Sequence, residues 1–275
     1  MQPKSGIWTF SDLGDNSLIL GDMHVHSRFS ADSQAELSDI CRAAIECGLK
    51  YIAITEHYDL NPNDISYQYF DYSAYSRAID DLRAEFGSDL TILKGIEFGE
   101  PHLYPDELEK VRQLDFDVIL GSVHFIGPDF VGERYLRERW TPEEIFTKYF
   151  DEVLQTVESD GFDVLAHLDF PKRYLKQTTL YHDTVDHIIK RLVDRGIGLE
   201  INTSPLRKGM SDTSPDFEVV QRYIQAGGRR ITVGSDAHHP SEIGTGFEEL
   251  SQFLSSLPEH SVGIYQKHQF IPIAF

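Results

Sequence analysis

The sequence predicts an α/β fold with parallel strands, on three observations. Short β-rich apolar runs alternate with helical patterns, the helices have recognisable ends, and seven strand-helix units follow one another without an interrupting linker. The strands are expected over 17–21, 51–55, 91–97, 118–123, 164–167, 198–202 and 230–234. The first helix, 35–47, stops at Gly48, and the second, 72–86, stops at Gly87. A third spans 142–159, with Thr141 as N-cap and Pro142 in the first turn. Two more run over 184–195 before Gly196 and 216–226 before Gly227. Such an alternation forms either an open doubly wound sheet or a closed barrel, and periodicity does not choose between them. The stretches 59–71 and 127–139 are rich in Tyr, Phe, Asp and Arg and read as loops that cover a site.

The chain has 275 residues, 40% hydrophobic and 25% charged, which suits a folded protein with a sizeable core. It is expected to form a single domain over 1–275. Acidic residues outnumber basic ones, 45 to 25, for a formal charge of −20. A charge of that sign repels phosphate backbones, so nucleic acid is not expected as a partner unless metal ions reverse the local sign. No apolar run is long enough to span a bilayer, and Met1-Gln2-Pro3-Lys4 lacks the order of a signal peptide, so no membrane partner and a cytoplasmic location are expected. Cys41 and Cys47 fall on different faces of one helix and read as reduced thiols.

The chemistry is carried by histidines and carboxylates at strand ends. His24 and His26 lie in Gly21-Asp-Met-His-Val-His-Ser, and His57 follows the second strand. Glu97 ends the third, His124 the fourth and His167 the fifth, while Asp236 and His238 follow the last in Gly234-Ser-Asp-Ala-His. In parallel α/β folds the carboxyl ends of the strands converge on one crevice, so six of the 12 histidines meet there with at least two carboxylates. One His-x-His is weak, because about half of one is expected by chance in such a chain; the constellation is the signal. Imidazole with carboxylate suits zinc, manganese or iron. His182, His187, His260 and His268 read as surface residues, His102 as a loop residue, and only one of His238 and His239 is expected to point inward.

Through Asp22-Met-His-Val-His, Phe29-Ser-Ala-Asp-Ser, Thr55-Glu-His, Gly95-Ile-Glu, Ser122-Val-His, Ala166-His-Leu-Asp-Phe, Glu200-Ile-Asn-Thr and Gly234-Ser-Asp-Ala-His, the chain resembles the polymerase and histidinol phosphatase (PHP) superfamily, in its histidinol-phosphate phosphatase branch. The resemblance implies a distorted (β/α)7 barrel with three divalent metal ions at the carboxyl ends of its strands. It assigns His24, His26, Glu97 and Asp236 to one ion, Glu97, His124 and His167 to a second, and Asp32, His57 and His238 to a third. Asp32 also reads as a helix-capping residue before Ala35.

Three divalent cations against Asp32, Glu97 and Asp236 leave a locally positive pocket that fits a phosphate monoester, attacked by a metal-bridging hydroxide. Arg173, which matches the arginine of the phosphatase branch, is the first choice for gripping phosphoryl oxygens, followed by Arg207, with Arg28 and Lys208 behind. Asp169 or His238 is the expected proton donor to the leaving group. The expected activity is hydrolysis of L-histidinol phosphate. The alternatives are a PHP phosphoesterase acting on nucleotides or DNA ends, and a non-catalytic metal-stabilised binding module. The ammonium and imidazole of histidinol phosphate would call for acidic and aromatic partners, with Glu100, Asp59, Asp64, Asp71, Tyr58 and Tyr69 available and no spacing that selects among them.

Overall fold

The computed structural model describes residues 19–175, 183–259 and 261–273. The expectations for residues 1–4, for 17–18 of the first strand, and for His182 and His260 lie outside them. In chain order the strands are β1 (Gly21–Val25), β2 (Tyr51–Tyr58), β3 (Thr91–Gly99), β4 (Val118–Ser122), β5 (Phe125–Ile126), β6 (Asp129–Phe130), β7 (Val164–Leu165), β8 (Gly198–Asn202), β9 (Ile231–Gly234), β10 (Gly263–Gln266) and β11 (Gln269–Pro272).

Seven of these form one parallel sheet in the order β1-β2-β3-β4-β7-β8-β9. Its two edges meet beyond β9: the His26 N–H donates to the Ala237 carbonyl and the Asp236 N–H to the His24 carbonyl, both at 2.8 Å. The sheet is thus a nearly closed seven-stranded barrel, which resolves the choice that periodicity left open. Buried strands read as continuous apolar runs because both faces are covered. Met23, Ala53, Leu93, Val118, Leu120, Val164 and Ala166 fill the interior. The amphipathic helices pack outside, among them Leu37–Glu46, Tyr72–Phe86, Pro142–Glu158, Asp183–Arg195 and Phe217–Gln225.

The helices follow their predicted bounds closely. Gly48, Gly196 and Gly227 adopt the positive φ that lets the chain turn off a helix, and Thr141 with Glu144 completes a capping box. The first strand does not follow its bounds. It runs over Gly21–Val25 instead of 17–21, so His24 sits within it rather than after it. The stretch 127–139 is likewise not a plain loop, since it contains β6 and the helix Arg134–Arg139.

The antiparallel β10–β11 hairpin was not predicted. It plugs the amino-terminal end of the barrel, where Ile264 and Tyr265 join the interior cluster. That leaves the carboxyl-terminal end as the open one. Among the described residues no helix is long and apolar enough to cross a membrane.

Leu93 is fully buried in the barrel interior. Leu93→Ala is expected to lower the unfolding free energy by about 2–5 kcal/mol through lost burial and a residual cavity, measured by urea denaturation. A loss under about 1 kcal/mol would mean that the interior refills.

Candidate active site

Glu97 lies inside β3, whose buried stretch runs on through Phe98 and Gly99, and is the point to which the histidines converge. Its Oε1 lies 2.7 Å from His167 Nε2 and 3.3 Å from His124 Nε2. Its Oε2 lies 3.1 Å from His57 Nδ1, 3.4 Å from His24 Nε2 and 3.5 Å from His26 Nε2. Asp236 Oδ1 stands 3.7 Å from His26 Nε2 and 3.6 Å from His238 Nδ1. Asp32 Oδ2 is 3.0 Å from His238 Nε2 and 3.4 Å from His57 Nε2, which makes it more than a helix cap. The His26 ring is stacked between those of His57 and His238, each centroid 4.3 Å away. All nine residues expected at the ions therefore lie in one cluster. His239 is exposed and only His238 of that pair turns inward.

Burial alone would raise the Glu97 and Asp236 carboxyls, but the surrounding cations hold both well below the usual range: His24, His57 and His124 for Glu97, Arg173 and then His24 for Asp236. Burial pushes His26 well below the ordinary imidazole value, with the charges of His57 and His238 adding to it. His24 moves well above, because Glu200 and Glu97 outweigh burial. His24 Nε2 and His26 Nε2 lie 3.0 Å apart, close enough for two neutral imidazoles to serve as ligands of one cation. This set fits divalent cations, as does the convergence of Glu97, His124 and His167 and that of His24, His26 and Glu97 within 4.8 Å.

The tautomers are set by residues that sequence reasoning did not place. His24 Nδ1 donates to Glu200 Oε1 at 2.6 Å, so in the neutral ring that a metal ligand requires the Nε2 lone pair faces the cluster. Ser30 Oγ donates to Glu56 Oε2 at 2.6 Å and can therefore only accept at 3.2 Å from His26 Nδ1, again freeing Nε2. His238 Nδ1 donates to the Asp236 carbonyl at 3.1 Å. Glu200 was visible only as part of a motif. Glu56 likewise stood only in the motif Thr55-Glu-His, and its burial, which shows it is engaged, is seen in the structure alone.

The cationic candidates differ. Arg173 Nη2 donates to Asp236 Oδ2 and, at 2.8 Å, to Ser204 Oγ, which places the guanidinium at the rim of the cluster. Lys208 is exposed at its surface, and partial desolvation followed by the charge of Arg173 lowers its ammonium to about 8. Arg207 instead braces the turn that carries Asp236: its Nη1 and Nη2 donate to the carbonyls of Ser235 and Asp236 at 2.9 and 3.2 Å, and its Nε pairs with Glu242 at 3.1 Å. Arg28 is half-exposed, pairs with Glu36 at 3.0 Å and lies over the Phe29 ring.

The two expected proton donors sit in different surroundings. Asp169 is fully buried, accepts from Ser214 Oγ and faces Lys172 Nζ at 3.9 Å, while both nitrogens of His238 are already engaged. His102 is held by Thr156 and Glu152 at 2.7 and 2.8 Å, consistent with a loop role. His268 is half-buried against Asp163 at 2.8 Å rather than free on the surface.

A nearly closed parallel barrel with a histidine–carboxylate cluster at the carboxyl ends of its strands defines a metal-dependent hydrolase of the α/β barrel kind. The PHP domain matches residues 22–204, and the chain belongs to that family. It is 33% identical over 234 residues to a probable histidinol-phosphatase of Thermotoga maritima, covering 85% of this chain and 90% of the relative. To a probable histidinol-phosphatase of Clostridium acetobutylicum it is 31% identical over 238 residues, covering 82% and 89%. It is also similar to the crystal structure of histidinol phosphate phosphatase from Lactococcus lactis complexed with zinc, L-histidinol and phosphate. That similarity has a TM-score of 0.81 at 25% identity and covers 93% of this chain and all of that one (100%).

Glu200→Gln removes the charge that holds the His24 tautomer. It is expected to weaken metal affinity about 10–100-fold, read by competition with a chromophoric chelator. Unchanged affinity would assign Glu200 to the fold alone.

Proposed function

We propose that this chain is a metal-dependent phosphomonoesterase that hydrolyses L-histidinol phosphate to L-histidinol and phosphate, with three divalent cations held by His24, His26, Glu97 and Asp236, by Glu97, His124 and His167, and by Asp32, His57 and His238. The observation that carries this reading is the Glu97-centred cluster with the Arg173 guanidinium at its rim. Relatives of 31–33% identity named for this activity support the choice of substrate, as does the similar Lactococcus lactis structure complexed with L-histidinol and phosphate.

When bound, divalent cations supply Lewis acidity toward phosphoryl oxygens and make water acidic enough to attack near neutral pH. The protein's own groups do the rest. In the net reaction a bond forms from water oxygen to phosphorus, the phosphorus–alkoxide bond breaks, and the alkoxide takes a proton. Arg173 stays charged, since Asp236 outweighs the burial that would lower it. Anchoring its Nη2 on Ser204 and Asp236 fixes the plane of the fork, so the remaining N–H groups are oriented before the ester arrives. Lys208 adds a second, more weakly held positive charge on the same side. Phe170 lies under the Arg173 guanidinium, 4.7 Å from its centroid, and limits its freedom.

Turnover of L-histidinol phosphate is expected to exceed that of nucleoside monophosphates and of a single-stranded oligonucleotide by about 100-fold or more in kcat/KM. A preference for either competitor would overturn the assignment. Arg173→Ala is expected to cost about 1.5–3 kcal/mol in kcat/KM, roughly ten- to a hundredfold, at the parent's metal content. Wild-type kinetics in that variant would remove Arg173 from phosphate binding.

A further inference from the structure

Beside the histidine cluster, on the side of β2, β3 and β4, stand three carboxylates that the reaction above does not use. Asp59 follows β2 two residues after His57, Glu100 follows β3 three residues after Glu97, and Asp64 belongs to the loop that covers this side. Asp59 is 3% exposed and neither of its oxygens accepts a hydrogen bond among the described residues. Glu100 is 1% exposed. Its Oε1 accepts from the His124 and Phe125 N–H groups at 2.7 and 3.3 Å, while Oε2 accepts none among the described residues. Asp64 is near enough for its charge to act on both.

Buried acceptors without donors are rare because each forfeits its hydration without compensation. Among the described residues no lysine or arginine forms an ion pair with Asp59, Asp64 or Glu100; the nearest positive partners of Asp59 are His57 Nδ1 at 3.5 Å and His124 Nδ1 at 4.0 Å. The Tyr67 backbone bridges to Asp59 and its N–H donates to the Asp64 carbonyl at 3.2 Å, and the Tyr104 phenol is raised by burial and then by the charges of Glu100, Tyr67 and Asp59, so both rings stand beside these acids. Tyr67 is 41% exposed, so this group of side chains borders solvent on the Tyr67 side.

We propose that Asp59, Asp64 and Glu100, walled by Tyr104 and Tyr67, form a pocket for the organic cation of the substrate, its ammonium or imidazolium end. The inference rests on the phosphomonoesterase reading above and adds which residues select the leaving group. Asp59, Asp64 and His124 also bring three candidate ligand atoms within 4.8 Å of one another, but a metal ion fits them poorly. His124 turns Nε2 toward Glu97, so a neutral ring carries its proton on Nδ1, the nitrogen facing Asp59. That N–H is a donor and leaves two carboxylates, short of a closed divalent site. An ammonium or imidazolium brings the N–H donors that the orphan oxygens need, and its charge suits the aromatic faces. Arg173 and Lys208 stand across the rim, beyond β7 and β8, so a ligand with an anionic head and a cationic tail would lie across the barrel mouth with each end facing its opposite charge.

Asp64→Asn keeps an oxygen for the Ser66 N–H, which it now accepts at 2.7 Å, and Glu100→Gln keeps one for His124. Each removes charge and little else. The kcat/KM ratio of L-histidinol phosphate to phenyl phosphate is expected to fall about tenfold in each variant, through KM, at wild-type metal content. A ratio within twofold of wild type overturns the proposal. Loss of a metal equivalent in Asp64→Asn also overturns it, because the group would then be a metal site. If the wild type hydrolyses phenyl phosphate but not L-histidinol phosphate, the substrate reading fails by itself. The pocket is then decided by L-histidinol as an inhibitor of phenyl phosphate hydrolysis: an inhibition constant raised about tenfold in the variants supports it, and absence of inhibition in the wild type overturns it.

Discussion

The site depends on one carboxylate. Glu97 lies within 3.5 Å of five imidazoles contributed by or just beyond β1, β2, β4 and β7. Those strands reach it only in one register. Glu97 pairs with His57 across β2 and with Leu120 across β4, while His24 in β1 and His26 just beyond it, two residues apart, turn to the same face. A slip of one residue in β3 would turn Glu97 into the helix layer and an apolar neighbour into the site. The apolar packing of the barrel and the position of the site are therefore one constraint.

A second layer sets protons rather than positions. Glu200 joins two ligands, taking the Nδ1–H of His24 on one oxygen and the backbone N–H of His167 at 2.7 Å on the other. Glu56 acts on His26 through Ser30. Gly234 shows how tightly this layer is built: a Cβ there would come within 2.4 Å of both Glu200 Oε1 and the His24 Cβ. These buried carboxylates belong to a chain of net charge −20, yet Arg173, Lys208 and Arg207 gather on one side of the rim. Local sign is decided by which acids are already engaged by imidazoles and serines, not by the total.

Much of the architecture was legible because five helices carry end signals and because parallel strands buried on both faces advertise themselves as apolar runs. The failures have specific causes. β1 reads Gly-Asp-Met-His-Val, and its inward polar residues hide the strand behind the more apolar run that precedes it. The β10–β11 hairpin turns at Lys267 and His268, both at positive φ, without the Asn-Gly that usually marks such a turn. Their N–H groups are instead fixed by the side chain and carbonyl of Asp117 at 3.2 and 2.9 Å, a tertiary cause that no local pattern reveals. The histidines were legible as a set. The roles of Glu200, Glu56 and Arg207 were not, since a carboxylate under an imidazole and an arginine on a carbonyl have no spacing rule.

The same network bears backbone strain. His167, Asp236 and Glu100 adopt φ values of 24°, 54° and 48°, in a region that side chains with a Cβ avoid, and each stands at the end of a barrel strand. Such positions cost about 1–3 kcal/mol each and persist only when the surroundings over-determine them. Here they do: Glu200 holds the His167 N–H, Arg207 grips the Asp236 carbonyl while the His24 carbonyl takes the Asp236 N–H, and the Ser122 carbonyl takes the Glu100 N–H at 2.9 Å. Relaxing any of the three to extended backbone would carry the side chain along the strand and off the rim. The strain is therefore what lifts His167 and Asp236 onto the cluster and Glu100 beside it, and the buried acids, arginine and carbonyls around them are what make that geometry stable.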